Sequence, residues 1–129
     1  MKHFLIFLVI TVSNISYGQN TAGSLDLSFG NNGIVKTPLN ISAEANSLAI
    51  QTDGKIVIAG ITNITETNSV IFCARYNSDG SLDLTFGTSG FVVTNFSAYL
   101  YARGKSIAIQ SDGKIIIGAN KTDGIVLIR

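Results

Sequence analysis

The stretch NSDGSLD gathers Asn77, Asp79 and Asp83 within seven residues around a glycine. Asx-rich, glycine-containing loops can hold calcium, because the ion takes about 6–8 hard oxygen ligands from a backbone that turns sharply. Only two of these three side chains are carboxylates. An earlier stretch of the same chain, NTAGSLD, has Thr21 and Ala22 where the later one has Ser78 and Asp79. A site missing ligands in one copy is a poor cation site, whereas a turn built on Asx side chains suits both copies. Asn77, Asp79 and Asp83 are therefore weak calcium candidates in what reads as a turn. No other metal and no cofactor is expected.

The remaining reactive side chains point to structure more than to chemistry. Cys73 lies between apolar neighbours in VIFCARY, the usual setting of a buried core thiol. A nucleophilic cysteine would want a histidine nearby, and the single histidine, His3, is far off in an N-terminal leader. One cysteine also excludes an intrachain disulfide framework. Glu44 and Glu66 fall in connectors and read as solvated. In ARGK, Arg103 and Lys105 follow Tyr99 and Tyr101, a combination that could touch an anion or a sugar but reads first as a solvated connector. No glycine-rich phosphate loop joins a strand to a helix. No catalytic residue is assigned.

The bulk composition agrees with this. Hydrophobic residues make up 46% and charged residues 13% of the 129, with a formal net charge of +1. Such a chain is neither disordered nor a polyelectrolyte. It lacks the clustered Lys/Arg surface that a phosphate backbone needs, so nucleic acid is not an expected partner. The start, MKHFLIFLVITVSNISYGQN, runs from a basic end through an apolar core to small and polar residues. That is the order of a secretory signal peptide, read here as residues 1–18 with the cut between Gly18 and Gln19. Its apolar run, Phe4 to Val12, is too short for a membrane span of roughly 20 residues, so no transmembrane segment is expected. The expected location is secreted or cell-surface.

The elements that must carry these residues are written twice. GSLDLSFGNNGIVKT at Gly23 and GSLDLTFGTSGFVVT at Gly80 share 10 of 15 positions. SLAIQTDGKIVIAG at Ser47 and SIAIQSDGKIIIGA at Ser106 share 9 of 14. A weaker pair is IFCAR at Ile71 and IVLIR at Ile125. Length differences fall between the matched segments, as they do when segments are structural and connectors are loops. The chain divides into the leader, residues 19–79 as a first repeat with its lead-in, and residues 80–129 as an incomplete second repeat.

Each repeat offers four short β-branched runs bounded by turn residues: GIVKT, SLAIQ, KIVIAG and VIFCARY in the first. TDG between two apolar runs is a hairpin signal. Four strands per unit is the content of a propeller blade. Both faces of KIVIAG are apolar, so the strand should be covered on both sides, as stacked blades would do. Ile58 and its equivalent Ile117 should both be buried. The predicted fold is all-β, about one and three-quarter four-stranded antiparallel blades, an open fragment of a β-propeller. Gly54 and Gly113 should take the positive φ of the hairpin turn, with Asp53 and Asp112 accepting backbone N–H groups. Leu25, Phe29, Leu82 and Phe86 should plug the core between blades. Asp26 and Asp83 should cap the intervening turn, and Gly30 and Gly87 should end it.

DGSLDLTFG joined to QSDGKI resembles the delta-60 repeat family, a family of predicted β-propellers, over nearly all of the chain after the leader. The resemblance implies several repeats in large secreted or surface bacterial proteins, often with a C-terminal sorting domain. It implies no activity. Two repeats are too few to close a ring, so the chain is expected to be a partial copy. The expected function is a non-enzymatic secreted or surface segment, structural or presenting loops to a protein or glycan, with further repeats as possible partners. The alternative is a fragment of a propeller enzyme, a polysaccharide lyase or hydrolase, whose site needs further blades.

Overall fold

The structure is a computed structural model that describes residues 22–39, 42–65, 68–96 and 101–129. The leader, with Gly18 and Gln19, lies outside them, as do Thr21, Glu66 and Tyr99. Seven strands form: β1 (Ala43–Ile50), β2 (Ile56–Thr65), β3 (Asn68–Tyr76), β4 (Phe91–Thr94), β5 (Ala102–Ile109), β6 (Ile115–Lys121) and β7 (Gly124–Ile128). They make two antiparallel meanders, a four-stranded sheet β1-β2-β3-β4 and a three-stranded sheet β5-β6-β7. Among the described residues no helix is long and apolar enough to cross a membrane.

The hairpins are set by their turns. In the first, Gln51 N–H donates to Lys55 C=O at 2.8 Å and Gly54 N–H to Gln51 C=O at 2.9 Å. Gly54 stands at φ 82°, the left-handed region that glycine enters without a Cβ clash. Asp53 Oδ1 accepts the Lys55 N–H at 3.1 Å. The second hairpin repeats this geometry at Gln110, Gly113 (φ 81°) and Lys114, with Asp112 in the role of Asp53. Both inner strands also bulge at the same place, between Ala45 and Ser47 in β1 and between Gly104 and Ser106 in β5.

The period of two along β2 separates two apolar faces. Val57, Ala59 and Ile61 point to one side with Ile71 and Cys73 of β3, their partners or neighbours in register. This face meets Ile107, Ile117 and Ala119 of the second sheet in a shared core. Ile56 and Ile58 point to the other side, where they pack with Phe72, Ala74 and Tyr76 around Val35, Leu82 and Phe91. The sheets approach closely where Gly60 of β2 faces Gly104 of β5. A Cβ on Gly104 would stand 3.0 Å from the Gly60 carbonyl oxygen. Asn46, at the β1 bulge, donates to Gly104 C=O at 2.9 Å and ties the inner strands together.

Two expectations are corrected by the topology. By sequence, GIVKT is expected to be the first of the four strands of its own repeat. Its second copy, Phe91–Thr94, is instead the fourth strand of the sheet that β1–β3 of the first repeat begin, pairing Cys73 with Val92 and Ala74 with Phe91. A structural blade therefore straddles the boundary between residues 79 and 80, because the tight turn at Asp79–Gly80 returns the chain to the edge of its own sheet. Gly33–Thr37 joins neither sheet. It makes an isolated bridge between Asn31 and Ile34 and passes over the first sheet, with Val35 against Phe72, Ala74 and Tyr76. Ile117 is buried, but Ile58 is only half-buried and lines an open groove on that side.

Candidate functional site

The carboxylates singled out in the sequence sit mainly in turns. Asp26 Oδ1 accepts the Ser28 N–H at 2.9 Å and the Ser28 hydroxyl at 2.6 Å. Asp79 Oδ1 does the same with Ser81, at 2.9 Å and 2.7 Å. Asn77 donates to the Ser81 hydroxyl at 2.9 Å. Asp83 Oδ1 accepts the Thr85 N–H at 3.1 Å and the Thr85 hydroxyl at 2.6 Å. Each of the three aspartates opens an Asx turn closed by the Ser or Thr two residues on. These local bonds hold the Asp26 and Asp79 carboxyls below their ordinary range. Gly30 and Gly87, at φ 58° and 54°, end the turns that Asp26 and Asp83 open.

Asp83 does more. It is buried, 3% exposed, and its Oδ2 receives Lys55 Nζ and Arg75 Nε, each at 2.8 Å. Lys55 foremost, then Thr85 and Arg75, holds the Asp83 carboxyl far below the usual carboxylate range against the opposing effect of burial. Arg75 lies over the Phe86 ring, 4.6 Å from its centre. The trio fastens three places together: the β1–β2 hairpin, the end of β3 and the turn leading to β4. With its oxygens taken up by two cations and Thr85, Asp83 is placed as an ion-pair centre rather than as a calcium ligand. The sequence does hold a signal for this trio: in each copy a Lys follows Asp-Gly and an Arg closes the IFCAR or IVLIR run.

The plug residues divide. Phe86 packs against the core between the sheets and Leu82 against the outer face of the first sheet. Leu82 also covers Gly90, where a Cβ would stand 2.6 Å from its Cγ. Phe29 lines the open groove. Leu25 is 55% exposed, because it lies against the loop glycine Gly33 with no sheet closing over it among the described residues. Cys73 is buried, which pushes its thiol up to about 11. It is a core thiol and not a thiolate nucleophile.

Glu44 and the ARGK stretch are not in connectors. Glu44 lies in β1 opposite Ile61, and Arg103 lies in β5 opposite Asn120, because the inner strands begin earlier than their apolar runs. Both side chains line a small recess with Ser42 and Asn63 where β1 and β5 converge. A carboxylate and a guanidinium at its rim could receive a hydroxyl-bearing or zwitterionic group. Lys105, at the β5 bulge, and Tyr101, which bridges to Ser69, are exposed.

Set beside known families, residues 51–86 match the one described as "Domain of unknown function (DUF5122) beta-propeller". The matched segment runs from the β1–β2 turn through β2 and β3 to Phe86, the run that contains the Asp83 trio. Together with the two open antiparallel sheets, this supports a β-propeller repeat of unknown function. No curated protein and no solved structure matches the chain.

Proposed function

We propose that this chain is a segment of a non-enzymatic, exported β-propeller of the delta-60 repeat type, structural in role and presenting its loops to a protein or glycan at the cell surface or outside the cell. The observation that carries the reading is what the turn carboxylates do: Asp26, its repeat equivalent Asp83, and Asp79 each close a turn on a neighbouring hydroxyl, and Asp83 anchors two cations. Carboxylates spent in this way on turns support the frame and leave little for acid–base work. The stretches ITNITETNSV and NKTDG, read as connectors in the sequence, are the far halves of the β2–β3 and β6–β7 hairpins with their turns, and they differ in length and composition while the strand segments beside them repeat. Variable loops on a repeated frame are where recognition is usually placed. The leader supports export.

Fractionation of producing cells with N-terminal sequencing tests the address. The chain should be recovered outside the cytoplasm, beginning at Gln19 or within a few residues of it. Incubation with neutral and acidic polysaccharides tests the chemistry. No new reducing ends or unsaturated products should form. Turnover that disappears in a Glu44→Gln variant would overturn the non-enzymatic reading, since Glu44 makes no ion pair among the described residues and stands at the inner recess.

A further inference from the structure

The two sheets pack head to tail. The Val57 face of the first sheet lies on the Ile117 face of the second. Among the described residues the same two kinds of face recur, uncovered, at the outer ends. On the second sheet, Ile125 and Leu127 are 84% and 76% exposed, while their equivalents in the first, Ile71 and Cys73, are 1% and 4% exposed. On the first sheet, Leu48 and Ile50 are 61% and 65% exposed, while their equivalents Ile107 and Ile109 pack into the core between the sheets. Each end of the molecule therefore presents what the other end's face already fits.

Two further features are complementary in the same sense. Within one chain, β3 is flanked by β4, and Lys55 with Arg75 holds Asp83. Among the described residues β7 has only β6 beside it. The equivalents of Lys55 and Arg75 are Lys114 and Arg129. Arg129 is exposed, and Lys114 folds back onto Asp112 of its own turn. Sequence equivalents of β4 and of Asp83 also occur earlier in the chain. Ile34–Thr37 is the first copy of the β4 sequence and is unpaired in either sheet, and Asp26 is the first copy of Asp83. That segment already lies along the rim of the groove lined by Leu48, Ile50 and Ile58, an open space of about 460 Å3.

We propose that this groove is occupied by the three-stranded sheet of a second copy of the chain. The β7 strand of the incoming copy pairs with Ile34–Thr37 in the β3–β4 register, Leu127 opposite Val35 and Ile128 opposite Ile34. Lys114 and Arg129 of that copy receive Asp26. The contact adds a fourth strand to the three-stranded sheet of the incoming copy and covers both open faces at once. It is heterologous, so it either closes or propagates as a filament. Propellers close at about 4–8 blades, so two to four copies would complete a ring.

Site-directed cross-linking reads the register. On a Cys73→Ala background, a Val35→Cys chain mixed with a Leu127→Cys chain should form a disulfide-linked dimer under mild oxidation. A Val35→Cys chain mixed with an Ile125→Cys chain, two residues out of register on the same face, should form several-fold less. Sedimentation of the otherwise unaltered chain reads the charge pairing without the cysteines. Asp26→Lys should weaken association, and mixing it with a Lys114→Asp/Arg129→Asp chain should restore it. Equal cross-linking in both mixtures, or undiminished assembly of Asp26→Lys, would overturn the proposal. So would an intramolecular disulfide in a Val35→Cys/Leu127→Cys chain at dilution where it is monomeric, because the groove would then be closed by the chain itself.

Discussion

Asp83 is the residue on which the first sheet turns. Its carboxylate closes its own turn and neutralises Lys55 and Arg75, so replacing it leaves two cations facing each other beside a buried edge. An Asp83→Asn chain should melt at a lower temperature, measured by circular dichroism at neutral pH. The pH dependence has a definite sign. The folded-state carboxyl titrates lower than an unfolded one, so its contribution is present above the unfolded carboxylate value of about 3.9 and is lost as pH falls through the folded value. The parent should lose stability on acidification below about pH 4, and the Asn variant should show a flatter acid limb. An Asn variant with an unchanged melting temperature and acid limb would mean the trio contributes nothing. Gly113 isolates a different effect. A Cβ there meets no atom within 4 Å, so Gly113→Ala should cost only the left-handed backbone, about 1–2 kcal/mol by denaturant unfolding.

At the scale of the elements, the equivalence of the two hairpins is broken by what each one faces. Ile117 of β6 is buried between the sheets, while Ile58 of β2 borders the groove. Ile117→Ala should cost about 2–5 kcal/mol, as other core truncations do, and Ile58→Ala distinctly less. Equal losses in denaturant titrations would mean that the groove is already filled. Much of this layer was legible in the sequence. TDGK and SDGK specified both hairpins, whereas the two apolar faces of KIVIAG predicted burial on both sides and the structure buries the Val57 face and leaves the Ile58 face half-buried. The strand assignment of GIVKT was not legible, because a short apolar run does not state which neighbour it pairs with. That choice is made by the return turn at Asp79–Gly80. Glu44 and Arg103 were misplaced for a related reason: their strands extend past the apolar run, and polar residues at an inner edge look like loop. The Asp83 trio depends on three segments meeting in space, and only the recurrence of Lys, Arg and Asp with the repeat hinted at it.

For the whole molecule, the central claim is that one and three-quarter blades stack head to tail and leave a matching face open at each end. Repeat units draw much of their stability from interfaces with neighbours, and two units supply one such interface. The exposed Leu48, Ile50, Ile125 and Leu127 are the counterparts of residues that the internal interface covers. A chain of net charge +1 offers little repulsion to keep those faces apart. Sedimentation velocity across a hundredfold range of concentration, with a thermal melt at each end of the range, tests this most directly. The account predicts species larger than the monomer, growing with concentration, and a melting temperature that rises with them. A monodisperse monomer at every concentration, with one sharp and concentration-independent transition, would contradict it.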